Sequence, residues 1–244
     1  MSKLIHWSKK EQEEQVLFGG SFIENKPISF PTYFKTYAYS NLFYWAHLEA
    51  KESNVFPLHP HEGFEIMTFV LKGKVEHYDT VNNKYIALKQ GDMQIMQTGS
   101  GMQHSEKILK GSELFQLWFN PDFKLSLKNK AQYKDYTQAD FIQDQKEGIT
   151  RIQYLGAEST HYCETQGITI KKQIFEKGKY LFALDKDTIY SIYILNASGT
   201  INKQEVIKDD FLKIEESQEL KILAKEALEL FIVSSPLKVS YPLI

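Results

Sequence analysis

Hydrophobic and polar positions along this chain alternate in short runs, which is the pattern of β-strands rather than of helices. The apolar and β-branched run at 64–71 predicts a buried strand, and the runs at 75–79 and 112–120 predict two more. Turn residues separate these runs about every ten positions, a spacing typical of a β-sandwich or barrel. The predicted turns are Lys72-Gly73, Asn82-Asn83, Gln90-Gly91-Asp92 and Gly99-Ser100-Gly101.

The second half of the chain repeats this cadence, with predicted strands at 190–195, 199–201, 209–214 and 228–233. Between the halves, residues 124–149 are polar and rich in Gln and Lys, as expected of a connection. We therefore predict an amino-terminal domain over 1–123, a connection over 124–149 and a carboxy-terminal domain over 150–244. Helix is predicted only as a short turn within 7–14, with Ser8 as its cap.

Composition narrows the class of protein. A hydrophobic fraction of 42% and an aromatic fraction of 14% indicate an ordered globular protein. The net charge is −2 and Arg151 is the only arginine, which argues against direct nucleic-acid binding because phosphate and base recognition depend heavily on arginine. The single cysteine, Cys163, excludes an intramolecular disulfide and is predicted to be a buried hydrophobe. Residues 1–15 are polar and no apolar run approaches a membrane span, so we expect a cytoplasmic protein without a membrane segment.

Two close pairs of metal-ligand side chains stand in the first half, His59-Pro60-His61 and His104-Ser105-Glu106. Side chains two positions apart on a strand point to the same face, so each pair can direct both heads into one barrel. Three imidazoles and one carboxylate leave coordination positions open for a substrate or for oxygen. The sequence therefore predicts one mononuclear metal site in the amino-terminal domain and none in the carboxy-terminal domain, where His161 is the only histidine.

Strand parity alone leaves the carboxylate ligand open, because Glu65 is in phase with His59 and His61 just as Glu106 is in phase with His104. We favour Glu106 as the ligand, with Glu65 accepting the N–H of a ligating imidazole. His77 lies on an alternating strand and is interpreted as a hydrogen-bonded structural histidine. Scattered core or surface histidines are the alternative, but they do not account for two close pairs.

A family resemblance extends over residues 56–121. The motifs that carry it are His59-Pro60-His61, Gly63-Phe64-Glu65, Gly73, Glu76-His77, Gly91-Asp92, Gly99-Ser100-Gly101 and His104-Ser105-Glu106, and together they resemble the pirin family of the cupin superfamily. The resemblance implies an all-β fold of two cupin-type β-barrel (jelly-roll) domains face to face, with few short helices and a metal only in the first. It also implies His59, His61, His104 and Glu106 as the ligands and Fe(II) as the ion. The same N/O ligand set accepts Mn, Co, Ni, Cu or Zn.

The resemblance implies two functions. One is oxygen-dependent cleavage of flavonols of the quercetin type. From the ligand set we expect a small aromatic hydroxy-keto substrate and O₂ as partners, with Glu106 as the catalytic proton acceptor. We interpret the chain as such a dioxygenase, similar to the quercetinase-like bacterial pirins. The alternative is a non-catalytic, iron- and redox-sensing protein that acts through a protein partner. Glu62 stands where related sequences carry a basic residue, and at a cavity mouth it would disfavour anionic ligands.

Overall fold

The computed structural model describes residues 3–29 and 38–243, and β-strands account for nearly all of its regular structure. This confirms the all-β class that the alternating pattern predicted. The strands are β1 (Lys3–Trp7), β2 (Glu13–Leu17), β3 (Phe22–Ile28), β4 (Leu42–Ala50), β5 (Asn54–His61), β6 (Glu65–Lys72), β7 (Lys74–Asp79), β8 (Lys84–Lys89), β9 (Met93–Gln97), β10 (Met102–Ile108), β11 (Glu113–Phe119), β12 (Gln132–Tyr136), β13 (Ile142–Lys146), β14 (Ile149–Leu155), β15 (Thr169–Phe175), β16 (Gly178–Ala183), β17 (Thr188–Asn196), β18 (Ser198–Ile201), β19 (Gln204–Ile207), β20 (Phe211–Glu215), β21 (Glu219–Ala224) and β22 (Leu228–Pro236).

The described helices are all short. They are α1 (Phe123–Ser126) and 3₁₀ helices at Lys9–Glu11, Phe18–Gly20 and Gln138–Asp140. The first 3₁₀ helix is the turn predicted after Ser8, whose backbone N–H and hydroxyl both donate to the Glu11 carboxylate, at 2.9 and 2.7 Å. No helix in the described part of the chain has the length and apolar character needed to cross a membrane.

The amino-terminal unit comprises Gln12–Asp140, Cys163–Gln166 and Ser240–Ile244. Its strands form a seven-stranded antiparallel sheet, in the order β12-β9-β6-β11-β4-β3-β2, and a four-stranded sheet, in the order β5-β10-β7-β8. Apolar side chains from both sheets, among them Val70 of the first and Ile108 of the second, form one core cluster. The unit is therefore a two-sheet sandwich of the predicted jelly-roll type, with open sheets rather than a closed barrel.

The carboxy-terminal unit comprises Met1–Glu11, Phe141–Tyr162 and Gly167–Val239. It repeats the architecture, with a seven-stranded sheet in the order β1-β20-β17-β22-β15-β14-β13 and a four-stranded sheet in the order β16-β21-β18-β19. Its core includes Ile192 and Leu212 from the larger sheet and Ile222 from the smaller one. The repeated cadence of the sequence thus corresponds to a repeated pair of sheets.

The predicted connection at 124–149 is not a free segment. Its β12 pairs with β9 of the amino-terminal unit, and its β13 pairs with β14 of the carboxy-terminal unit. Both are edge strands, and all five residues of β13 are exposed, so their polar composition resembles that of a linker. The units are also not contiguous halves, because β1 pairs with β20 in the carboxy-terminal unit.

Candidate metal centre

The two predicted pairs lie on neighbouring antiparallel strands of the four-stranded sheet. His59 and His61 end β5, and His104 of β10 lies directly opposite His59. The register then shifts between His104 and Glu106, because β5 carries an additional residue there. Glu106 therefore lies opposite Phe56, one position farther along β5 than an unbroken ladder would place it.

Three histidine side chains converge at this end of the sheet. The ring centroids of His59 and His104 are 4.3 Å apart, and that of His61 is 4.9 Å from each of them. One ligand nitrogen from each residue lies within 4.8 Å of the other two. His104 is buried, whereas His59 and His61 are half-buried. The cluster has the residue types and spacing that one divalent ion needs.

Hydrogen bonding leaves the nitrogens of the cluster available for a ligand. Nδ1 of His59 lies 2.7 Å from the carbonyl oxygen of Pro57, and by donating to it leaves Nε2 as the acceptor. Nε2 of His61 and both ring nitrogens of His104 are buried without a hydrogen-bond partner among the described residues. A buried polar atom left in this way costs about 1–3 kcal/mol unless a ligand satisfies it. The residues present therefore fit a resident metal ion.

His61 and His104 keep their lone pairs at neutral pH. Burial, together with the neighbouring His59, lowers the pKa of His61 to about 4. Burial lowers the pKa of His104 to about 2, with smaller contributions from His59, His77 and His61. Neutral imidazole is the form that binds a metal, so neither side chain has to lose a proton before an ion can bind at pH 7.

Glu106 is buried beside the cluster but does not join the three histidines. Its ligand oxygen groups with His77 and His104 instead, again within 4.8 Å. Nε2 of Gln116 donates to both Glu106 oxygens, at 3.3 and 3.1 Å, and Oε1 of Gln116 accepts from Nε1 of Trp118 at 2.8 Å. Burial raises the pKa of Glu106. The structure thus brings three of the four predicted ligands together and holds the fourth adjacent to His104.

Gln116 was not predicted from the sequence, although a signal was present. It is a polar residue inside the apolar run of β11, Glu-Leu-Phe-Gln-Leu-Trp-Phe. A polar side chain at such a position needs a partner when it is buried. The strand pattern shows that a partner exists but does not identify Glu106.

Glu65 has different partners from those predicted. Its Oε1 accepts from Nε2 of Gln97 at 3.0 Å and from the backbone N–H of Glu164 at 2.7 Å. Its Oε2 accepts from the thiol of Cys163 at 3.1 Å and from the backbone N–H and hydroxyl of Thr165. This corrects the prediction that Glu65 supports a ligating imidazole. It also shows that Cys163 acts as a hydrogen-bond donor rather than as a simple hydrophobe.

A cavity of about 570 Å³ opens beside the histidines within the amino-terminal unit, and His59, Glu106, Gln116 and Trp118 line one part of it. Apolar side chains, including those of Leu48, Phe56, Ile108 and Leu114, line another part. The cavity therefore combines an apolar wall with a few polar groups next to the candidate metal ligands, which is typical of small-molecule sites.

A second group of charged side chains lines the same cavity. The Lys26 ammonium is buried between two carboxylates, 3.5 Å from Oε1 of Glu13 and 3.4 Å from Oε2 of Glu24. Burial raises the pKa of Glu24, although Lys26 opposes the shift. The hydroxyl of Tyr44 donates to the same Glu24 oxygen at 3.5 Å. Two carboxylates for one ammonium make this part of the cavity favourable for hydrogen-bond donors and unfavourable for anions.

Glu62 lines a separate cavity of about 840 Å³ together with His61 and Met102. Its side chain is exposed there. The sequence leaves open whether Glu62 faces a cavity or solvent, and in the structure its negative charge lies at this cavity, where it adds to the unfavourable environment for anions near His61.

Comparison with known proteins identifies the amino-terminal fold. The Pirin family profile matches residues 20–119, the region that contains all four predicted ligands. Residues 20–119 therefore match a pirin domain, which confirms the resemblance found in that part of the sequence.

Relatives of known name are similar over different lengths. A Pseudomonas aeruginosa protein, provisionally named a quercetin 2,3-dioxygenase, is 27% identical over 200 residues, which cover 78% of this chain and 81% of that protein. The quercetin 2,3-dioxygenase of Escherichia coli K12 is 43% identical over 70 residues. That second match covers only 28% of this chain and 30% of the enzyme.

Solved structures match nearly the whole chain. The Escherichia coli bacterial pirin YhhW in complex with nickel(II) has a TM-score of 0.79 at 21% identity, with 96% of this chain and 99% of that chain covered. A quercetin 2,3-dioxygenase from Acinetobacter baumannii has a TM-score of 0.80 at 16% identity, and the match covers 96% of this chain and 79% of that chain. A Bacillus subtilis oxalate decarboxylase with Mn(II) centres has a TM-score of 0.66 at 13% identity, and the match covers 96% of this chain and 78% of that chain. These similarities establish the cupin-like fold.

Proposed function

We propose that this protein is a metal-dependent dioxygenase that cleaves flavonols such as quercetin. The observation that carries the proposal is the cluster of His59, His61 and His104, with unpartnered buried nitrogens, beside a cavity of about 570 Å³. A cavity of that size admits a ligand as large as a flavonol. The names of the Escherichia coli and Acinetobacter baumannii relatives support the choice of reaction.

The proposed ligands are His59, His61 and His104, with Glu106 as the fourth member of the predicted set. We propose Fe(II) as the native ion, and Mn, Co, Ni, Cu and Zn as ions that the same nitrogen and oxygen donors accept. When bound, the ion supplies a Lewis acid that lowers the pKa of a chelated substrate hydroxyl. The nickel and manganese of two structural relatives support a divalent ion.

Glu106 is the proposed proton acceptor for the substrate hydroxyl. Its carboxylate lines the cavity, and burial raises its pKa, which makes it a stronger base than an exposed carboxylate. Gln116 donates to both oxygens and therefore holds the carboxylate in one orientation. In a dioxygenase both atoms of O₂ enter the products, so that no separate reductant is consumed.

The cavity favours a neutral, hydroxylated aromatic substrate. Its apolar wall, with Phe56 and Leu114 among its residues, can pack against a planar ring. Glu13 and Glu24 around Lys26 offer acceptors to ring hydroxyls and disfavour a carboxylate on the ligand. The negative charge of Glu62, at the second cavity, also disfavours an anionic ligand.

Loading the purified protein with Fe(II) anaerobically and then adding quercetin and O₂ tests the proposal. We expect loss of the flavonol absorbance band together with uptake of one O₂ per flavonol. His61→Ala removes one proposed ligand and should abolish both signals. His161→Ala, in the carboxy-terminal unit, is the matched control and should leave both unchanged. Flavonol loss that proceeds equally fast in metal-free protein or in His61→Ala would refute the proposal.

A further inference from the structure

We infer that the cluster offers a second, inner position for a divalent metal ion, formed by His77, His104 and Glu106. The three ligand atoms of this group lie within 4.8 Å of one another, as do those of the outer group of His59, His61 and His104. His104 belongs to both groups. His77 is the residue specific to the inner position, and the proposed reaction does not use it.

The strand register places the inner ligands side by side. β7 and β10 are neighbours in the four-stranded sheet, and Glu106 lies directly opposite His77 in their antiparallel ladder. Residues directly opposite each other share a face of the sheet and approach within about 4.5–5.5 Å at Cβ. His104, two residues before Glu106, shares that face and lies opposite Asp79. The position is therefore fixed by two rigid strands rather than by a loop.

His77 is buried in a way that calls for a ligand. Its side chain is fully buried, its Nδ1 has no hydrogen-bond partner among the described residues, and its Nε2 faces the Asp79 carboxylate at 3.4 Å. The ring stacks on Tyr133, with centroids 4.9 Å apart and planes at 23°, and its centroid is 5.3 Å from that of His104. Packing thus holds the ring while leaving Nδ1 unsatisfied, which is costly without an ion or another partner.

Asp79 is placed to orient the His77 ring. Its Oδ2 is 3.4 Å from Nε2 of His77, and its Oδ1 accepts from the backbone N–H groups of Val81 and Asn82, at 2.8 and 2.7 Å. A carboxylate facing one imidazole nitrogen, with the other nitrogen available to an ion, is the usual support of a metal-ligating histidine.

The inner and outer positions compete for one ion. A neutral imidazole offers one lone pair, so His104 can serve one position at a time. The protein should consequently bind one ion. Removal of the outer histidines should lower the affinity for that ion without abolishing its binding. The inner position would then keep the ion on His77, His104 and Glu106.

Titration with Co(II) under argon, followed by its visible absorption and by competition with a chelator, tests the inner position. We expect one Co(II) in the unmodified protein and in the control His161→Asn. The double variant His59→Ala/His61→Ala should still bind one Co(II), with a changed spectrum and with affinity lower by at least about 100-fold, because a direct ligand contributes more than the hydrogen-bond partners around it. Adding His77→Asn to the double variant should lower the affinity at least about tenfold further.

Two results would overturn the inference. One is a double variant that binds no Co(II), and the other is residual binding that His77→Asn leaves unchanged. If the triple variant does not fold, His77→Gln in the double background removes the same inner ligand with a longer amide side chain and makes the same test. This test uses neither flavonol nor O₂, so its result is independent of the proposed dioxygenase activity. A protein that does not cleave flavonols can still bind Co(II) at the inner position, and an active dioxygenase can lack that position.

Discussion

At the scale of single residues, the main feature of this protein is a set of buried imidazoles that lack hydrogen-bond partners. Nitrogens of His61, His77 and His104 are in this state. Each such atom costs about 1–3 kcal/mol in the metal-free protein. Folding therefore maintains a site whose unsatisfied nitrogens lower the free energy of unfolding until an ion binds. Burial of the same imidazoles makes that free energy depend on pH.

The metal-free protein should lose stability as the pH falls below about 6.5, the value for an unperturbed histidine. Above that pH, His104 is neutral in both the folded and the unfolded chain and contributes nothing to the pH dependence of the free energy of unfolding. Below it, the unfolded chain binds a proton that folded His104, with its pKa lowered to about 2, does not bind. The expected loss for this residue is about 2 kcal/mol in the free energy of unfolding between pH 7 and pH 5. Urea unfolding of chelator-treated protein at both values measures it.

The variant His104→Asn removes the titrating group and should show a pH dependence smaller by about the same amount. His161→Asn provides the control, because that residue lies outside the cluster in the carboxy-terminal unit. An unchanged difference between pH 7 and pH 5 in His104→Asn would show that His104 is not held neutral by burial.

Gln116 positions Glu106, and its loss should move the pH profile of activity. The hydrogen bonds from Nε2 of Gln116 lower the pKa of Glu106 against the larger effect of burial. Gln116→Met removes them, so the pKa rises further and the basic form appears at higher pH. We expect the acidic limb of kcat/KM to move up by about one pH unit. Gln153→Met, a buried glutamine of the other unit, should leave the limb in place, and an unmoved limb in Gln116→Met would exclude the positioning role.

Each pair of candidate ligands could be recognised in the sequence because its two members are close in the chain. His59 and His61 are two residues apart, and strand parity alone puts them on one face. The partners of Glu65 could not be predicted, because Cys163, Glu164 and Thr165 are 98 to 100 positions away. The face of a strand to which a side chain points follows from local periodicity, whereas the hydrogen-bond partners of that side chain depend on tertiary contacts.

At the scale of elements, two turns and a bulge set the positions of the candidate ligands. The backbone N–H of Gly63, after β5, donates to the carbonyl of Gly99, before β10, at 2.9 Å. The bulge in β5 then displaces Glu106 from the ladder position that parity gives it. Both His61 and His104 are thus held by turns that are bonded to each other.

Gly99→Ala should destabilise the protein and weaken metal binding. Gly99 has a φ of +49°, and a Cβ there would lie 2.6 Å from the backbone oxygen of Asn129, which cannot move as a side chain can. We expect a loss of about 1–3 kcal/mol in the free energy of unfolding and a lower affinity for Co(II). Gly19→Ala is the matched control, since its φ is +65° but no atom lies within 4 Å of the added Cβ. Equal effects of the two substitutions, measured by urea unfolding, would contradict the steric argument.

Strands with a buried face were predicted well, and edge strands were not. The run predicted at 64–71 is β6 at Glu65–Lys72, and the run at 112–120 is β11 at Glu113–Phe119. Both strands lie inside the seven-stranded sheet, where burial imposes an apolar pattern. β12 and β13 lie at sheet edges and lack that pattern, so they were assigned to a connection.

At the scale of the whole molecule, two units share an architecture but not a chemistry. β5 and β10, which hold the candidate ligands, correspond in sheet order to β16 and β21 of the carboxy-terminal unit. In β21 the buried positions are Leu220, Ile222 and Ala224, which belong to the apolar core. Within residues 3–29 and 38–243, groups of side chains that could hold a metal occur only in the amino-terminal unit.

Binding of a divalent ion should therefore protect only the amino-terminal unit from amide hydrogen exchange. An ion at about 100 times its Kd adds about 2.7 kcal/mol to the stability of the unit that binds it, which slows exchange through its unfolding about 100-fold. With Ni(II), we expect this slowing in β5, β7 and β10 and no change in β16 and β21, as measured by mass spectrometry of peptides. The carboxy-terminal unit is the internal control within each sample. Equal slowing in both units would contradict the prediction, because it would show that the ion stabilises the two units as one cooperative structure.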